Sequence, residues 1–173
     1  MTIDTIISHP RDDEPDFELE CHLRDVKSRM YDFGSFDDLG ACSERRVAGV
    51  IGSLHDFGKV TPAFQQHVRD QYYGPPQPTY HARLGALAAF WVVRETGGDD
   101  RDALAAFAAI SRHHGSLPDI VRHVRSDVYE TETGSNDAEG WASAQVDSIG
   151  ENEMHATKAN QFLVSAGDEA TTW

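Results

Sequence analysis

From residue 17 onward, apolar side chains recur at the three- and four-residue spacing of a helix with one buried face. Leu19, Leu23, Val26 and Met30 mark a first predicted helix over roughly 17–31, and His22 lies on its inward stripe. A second, roughly 43–56, follows Ser43 with Glu44 in its first turn; it would bury Val47, Val50, Ile51 and Leu54, with His55 four residues beyond Ile51. The chain turns at Gly58 and restarts at Thr61-Pro62, a capping residue followed by proline at the first helical position. The prolines of residues 74–78 predict a loop. A long apolar helix then runs from Thr79 through Arg94, carrying His81, Gly85, Ala89 and Val93, and stops at Gly97-Gly98. Asp99 is placed to cap the next helix, with Asp102 in its first turn; Leu104, Phe107, Ala108 and Ile110 are its core face and His113-His114 its end. A short helix is expected over Pro118–Val128, a mobile acidic loop over 130–152, and a last helix over roughly 153–168. No repeat, heptad or convincing β-hairpin is legible, so the pattern predicts a single all-α domain over 1–173, compact and multi-helical.

Composition sharpens this picture. Hydrophobic residues make up 39% of the 173, enough to fold, and no apolar run approaches the roughly 20 residues of a membrane span. The N-terminus has no basic, apolar secretion signal, and Cys21 and Cys42 are too few for a disulfide framework, so a cytoplasmic location is expected. The formal charge is −14, with three lysines (Lys27, Lys59, Lys158) against twelve arginines. Few phosphate counterions can be released by such a surface, which disfavours ordinary electrostatic binding of nucleic acid. The composition suits concentrated salt instead, where the Debye length falls to about 3 Å at 1 M and self-repulsion is screened, so a halophilic source is expected.

The chemistry-bearing residues fall one set per helix: His22, His55-Asp56, His81, His113-His114 and Asp168. Any one alone reads as a hydrogen-bonded core histidine or a cap, but five inward polar features would each need burial without purpose. Helical proteins build di-metal sites from single inward ligands on several helices. Imidazole and carboxylate together suit Mn, Fe, Ni, Co or Zn. Asp56 has two oxygens and can bridge ions roughly 3.5–4 Å apart, with a hydroxide between them as nucleophile. Lys59, three residues after Asp56, is within reach of a phosphate oxygen. His9, His67, His123 and His155 lack this placement and read as surface or packing residues.

The string LHDFGKVTPAFQQHV (54–68) resembles the HD superfamily of metal-dependent phosphohydrolases, and its FGK and FQ extension resembles the CRISPR-associated branch. YHARLGALAA (80–89) and SRHHGSLPD (111–119) are similar to that branch's next two motifs, and ELECHLRDV (18–26), following ISHP, to its opening helix. The resemblance, to the HD nuclease domain of the type I CRISPR nuclease-helicase, covers nearly the whole chain. It implies a central di-metal site: His22, His55, Asp56 and a late aspartate would hold one ion, and Asp56, His81, His113 and His114 the other. Asp168, in FLVSAGDEA, matches the late position, with Asp147 as fallback; Lys59 would contact the scissile phosphate. The implied activity is cleavage of single-stranded DNA, as endonuclease and 3′-to-5′ exonuclease, with Mn, Ni, Co or Mg; some members also cut RNA.

The implied partners are a CRISPR helicase and a surveillance complex. No GxxxxGK[ST] loop is present, so the chain is expected to be either a separate nuclease subunit or an excised N-terminal domain. Arg83, Arg112, Arg122 and Arg125 lie close in sequence to the proposed ligands and are candidates for lining a strand path. The competing reading is an HD-type phosphohydrolase of a dNTP or cyclic nucleotide, which gives no reason for paired His113-His114. A non-catalytic acidic module stapled by metal is the third.

Overall fold

The computed structural model describes residues 5–10, 15–33, 41–74, 76, 79–114 and 136–171. Two short strands, β1 (Ile7–His9) and β2 (Phe17–Glu18), pair antiparallel and lead directly into α1 (Leu19–Phe33). There follow α2 (Ala41–Leu54), a 3-10 turn (Phe57–Val60), α3 (Pro62–His67), α4 (Ala82–Glu95), α5 (Asp100–Ser111), α6 (Asn136–Gly150) and α7 (Glu153–Thr171). The all-α architecture expected from the periodicity is therefore present, with one small ribbon added to it.

α2 is the central element: it packs on α1, α4, α5 and α7, because its stripe of Val50 and Leu54 is fully buried. α1 contributes Leu19 and Leu23 to the same core, α4 adds Ala86, Ala89 and Val93, and α5 adds Ala103, Ala106, Phe107 and Ile110. α7 closes it with Ala159, Phe162, Ala166 and Ala170. Small side chains on α4, α5 and α7 let these helices approach closely, leaving room for polar groups where their ends converge. Both expected caps are in place: the Thr61 hydroxyl accepts from the Phe64 amide at 3.3 Å, and Asp99 accepts from the Asp102 amide at 2.8 Å.

Two expectations need correction. The β1–β2 pair contradicts the absence of a hairpin; its strands are three and two residues long, too short to show a period of two. Part of the expected loop over 130–152 is instead helix, since α6 runs Asn136–Gly150. Its inward positions include Gln145 and Ile149, and Gln145 donates its side-chain amide to the Tyr80 carbonyl at 2.9 Å. A polar residue anchoring the buried face hides the helical stripe from a hydropathy reading. The short helix expected over Pro118–Val128 lies outside the described residues.

Candidate metal centre

His22 stands on α1, three residues after the fully buried Leu19 and directly before Leu23, so its ring is carried to the core edge. His55 directly follows α2, its amide still bonded to the Ile51 carbonyl at 2.8 Å. The 3-10 turn then reverses the chain, placing Asp56 and Lys59 against the same space with little exposure. His81 precedes α4, and His113-His114 follow α5. Two glycines make this convergence possible. A Cβ on Gly58 would lie 2.2 Å from the His81 carbonyl oxygen, and one on Gly85 would lie 2.6 Å from that of Leu54. The start of α4 reaches the turn only because no side chains intervene.

These residues form two groups that share Asp56: His22, His55 and Asp56 in one, and Asp56, His81, His113 and His114 in the other, with ligand atoms within 4.8 Å of one another. The carboxylate divides between them. Its Oδ2 lies 2.9 Å from His22 Nε2 and 3.5 Å from His55 Nε2, while Oδ1 lies 3.1 Å from His81 Nε2 and 3.2 Å from His113 Nε2. Across each group, His22 Nε2 is 3.1 Å from His55 Nε2 and His81 Nε2 is 2.9 Å from His114 Nε2.

The tautomers decide what the cluster can hold. His55 Nδ1–H donates to the Gly52 carbonyl at 3.1 Å and His113 Nδ1–H donates to that of Ile110 at 2.7 Å. In the neutral rings this leaves both Nε2 lone pairs aimed into the cluster, the orientation by which a backbone carbonyl fixes a metal-binding imidazole. His113 Nε2 then faces a carboxylate oxygen, two acceptors within contact distance, which calls for a proton or a cation between them. Burial pushes His55 down to about 4, against the charge of Asp56, so this ring is neutral near pH 7. Burial also lowers His114, reinforced by the charges of His113 and His81. His113 moves the other way: burial opposes, but the bond to Asp56 and the Ile110 carbonyl raise it. Burial opposes ionisation of Asp56, yet contacts from His113, His22 and His81 hold it far below the usual carboxylate range. One ionised carboxylate beside His55 and His114, both lowered by burial, leaves more lone pairs than protons, and that donor set fits divalent cations.

Lys59 Nζ is 2.8 Å from Asp56 Oδ2 and 3.3 Å from Ser8 Oγ, and it stands 5.6 Å from the Phe64 ring centroid. The structure thus brings together His22, His55, Asp56, Lys59, His81, His113 and His114. It does not bring Asp168. That residue is exposed on α7, where Phe162, Ala166 and Ala170 face inward at four-residue steps and position 168 falls on the other side. Asp147 is likewise exposed on α6. Of the arginines proposed to line a path, Arg83 is half-buried and Arg112 exposed, while Arg122 and Arg125 lie outside the described residues, as does His123. His67 is exposed, and His155 is a packing residue whose Nδ1–H bonds the Val60 carbonyl beneath the turn. His9 is exposed, yet its ring centroid lies 5.9 Å from that of His22, beside the first group. Sequence reasoning met Gln65 only within the FQ motif and Ser8 only within ISHP and gave neither a role, yet both are buried behind Lys59; the apolar Ile6-Ile7 ahead of Ser8 was the available signal.

A family model described as "Cas3, HD domain" matches residues 17–171. The CRISPR-associated nuclease/helicase Cas3 of Haloferax volcanii is 40% identical over 134 residues, which cover 78% of this chain and 14% of that protein. The chain thus matches only a small part of that relative's length. No solved structure matches.

Proposed function

This chain belongs to the Cas3 HD-domain family, and from that premise we propose that it is a metal-dependent phosphodiesterase that hydrolyses single-stranded DNA, by internal cuts and from the 3′ end, in CRISPR antiviral defence. The observation that carries the reading is the split of one carboxylate: each oxygen of Asp56 faces a different set of imidazoles. His22, His55 and Asp56 would hold one divalent ion, and Asp56, His81, His113 and His114 a second. When bound, such ions lower the pKa of an attacking water and neutralise charge on the phosphoryl oxygens. The residues themselves do the rest. The Gly52 and Ile110 carbonyls keep His55 and His113 in the tautomer that offers Nε2. Lys59 braces Asp56 and lends its charge to a phosphate oxygen brought to the cluster.

The helicase named in the relative is the proposed partner. Its attachment is supported by an apolar groove between α4, α6 and α7, lined by Leu84, Val92, Ile149 and Leu163, on which Trp91 is 59% exposed. No helix among the described residues is long and apolar enough to cross a membrane.

The test is elemental analysis coupled to a cleavage assay on circular single-stranded DNA in molar KCl, with Mn, Ni, Co, Fe, Zn and Mg compared and nucleotides and RNA assayed alongside. The wild type should bind two ions and cut circles, and His55→Ala and Asp56→Ala should abolish cutting while the helical circular-dichroism signal persists. Hydrolysis of nucleotides with intact strands would replace the nuclease by an HD nucleotide phosphohydrolase. Full cleavage by both variants would overturn the reading.

A further inference from the structure

We propose that Ser8 is a positioning residue: strand β1 delivers a buried hydroxyl to Lys59 and thereby fixes where the lysine's charge stands beside Asp56. Lys59 has a long, flexible side chain with three donors on its ammonium. One goes to Asp56 Oδ2, and that contact alone would leave the head group free to swing about the carboxylate. The Ser8 hydroxyl, 3.3 Å from Nζ, is a second acceptor in a different direction. Ser8 is 1% exposed and follows the buried Ile6 and Ile7, so a hydroxyl sits where a small apolar side chain would be easier to bury. A buried polar group of this kind calls for a partner, and the partner here is Lys59.

The strand is held in register for this contact. Gln65 mimics a neighbouring strand, its Oε1 accepting from the Ile7 amide at 3.0 Å and its Nε2 donating to the Ile7 carbonyl at 2.8 Å. The same Nε2 donates to the Lys59 carbonyl at 2.8 Å, so one side chain ties β1 to the backbone of the lysine it serves. Arg69 secures both, donating to Gln65 Oε1 at 2.7 Å and to the Thr5 carbonyl at 2.8 Å. On the other side of β1, the Leu19 amide donates to the Ile6 carbonyl at 2.9 Å. Residues 5–9 precede the stretch matched by the family model, which begins at residue 17. The segment adds a wall to the centre on the Lys59 side. Its consequence for turnover rests on the phosphodiesterase reading; its effect on Lys59 does not.

The experiment keeps the two apart. The chain has only three lysines, so acylation of the metal-free protein by an N-hydroxysuccinimide ester can be followed at each by mass spectrometry. In Ser8→Ala, Lys59 should label about tenfold faster, the effect of losing one hydrogen bond to a charged group. Lys27 and Lys158, which pair with Glu169 and Glu20, should keep their rates. Ile7→Val, which loosens the strand without touching the hydroxyl, should leave the ratio of the three rates unchanged. With metal restored, Ser8→Ala should lower kcat for strand cleavage and hold KM, and should have no further effect once Lys59 is Met. An unchanged Lys59 rate, or equal acceleration at all three lysines, overturns the proposal. A wild type that cuts no phosphodiester with any metal overturns the nuclease reading, while the labelling ratio still decides the role of Ser8.

Discussion

Replacing Asp56 by Asn is the most informative single change, because it keeps the shape of the residue on which both ligand groups depend and removes its charge. Lys59 Nζ stands 2.8 Å from Asp56 Oδ2, and the lysine side chain is 11% exposed. A pair of unit charges at that separation interacts by about 6 kcal/mol at an effective dielectric of about 20. Desolvation of the carboxylate offsets part of this, and removing one partner of a buried pair costs about 3–5 kcal/mol. In a chain of this size that corresponds to a fall in Tm of about 6–20 °C in the presence of chelator. Adding Lys59→Met should return most of the loss, because the penalty lies in the stranded ammonium. Metal content should respond unequally: the first group falls to two imidazoles and empties, whereas the second keeps three and retains an ion at lower affinity. Thermal unfolding without metal and elemental analysis after dialysis against Mn or Zn read the two effects separately. An Asp56→Asn protein that melts within a degree of wild type, or that still carries two ions, would refute the bridging role.

Other consequences can be checked in the same assays. Gly58→Ala should destabilise the fold by about 1–3 kcal/mol and weaken the second group more than the first, because its Cβ would press on the His81 backbone; equal weakening of both would count against the close approach. His114→Ala should lower the affinity for the second ion and leave the first, since His114 touches only the His81 side of the cluster; metal titration reads this directly. Stability should fall with acid in two steps, an upper one to which His55, His114 and His155 contribute and a lower one to which Asp56 and Glu169 contribute. His155 is held below its ordinary 6.5 by burial, so the unfolded chain takes up a proton first and stability drops as pH falls below 6.5. Burial opposes ionisation of Glu169, but bonds from Lys27 and Tyr31 hold it below 4.5, so its contribution is present above 4.5 and lost below it. In urea midpoints of chelated protein, His155→Gln should flatten the upper step and Glu169→Gln the lower.

Much of the centre was legible because helical period carries three-dimensional information. His22 on the Leu19–Leu23 stripe and His55 one turn beyond Ile51 follow from spacing, whereas His81, expected inside a helix from Thr79, stands just before α4, and its grouping with His113-His114 rests on the family motifs. Asp168 shows the limit of that reasoning. A motif fixes an order of residues, but the phase of α7 is set by which small side chains meet α2 and α4, and Ala159, Phe162, Ala166 and Ala170 win that face. Helix α6 was hidden because its inner face is anchored by Gln145, whose burial makes sense only with the Tyr80 carbonyl in view. Strand β1 was hidden for a similar reason. Besides the two-residue β2, its partner is the side-chain amide of Gln65, 58 residues away, which leaves no periodic trace.

The acidity of the chain and the proposed polyanionic substrate are reconciled by geometry. Among the described residues of the cluster Asp56 is the only carboxylate; its immediate neighbours are five neutral or cationic imidazoles and one ammonium. Two dications held there would make the pocket strongly positive at contact range, where field strength depends on groups a few ångströms away. The other acids among the described residues lie outside this cluster, and at molar salt the Debye length of about 3 Å removes distant charge from the balance. Strand affinity should therefore depend on the metals and on Lys59 far more than on net charge. The salt dependence of binding should then be shallow compared with that of a basic nucleic-acid-binding protein. A steep loss of affinity between 0.5 and 2 M KCl, by fluorescence anisotropy with a labelled oligonucleotide, would instead place the binding energy on dispersed surface arginines.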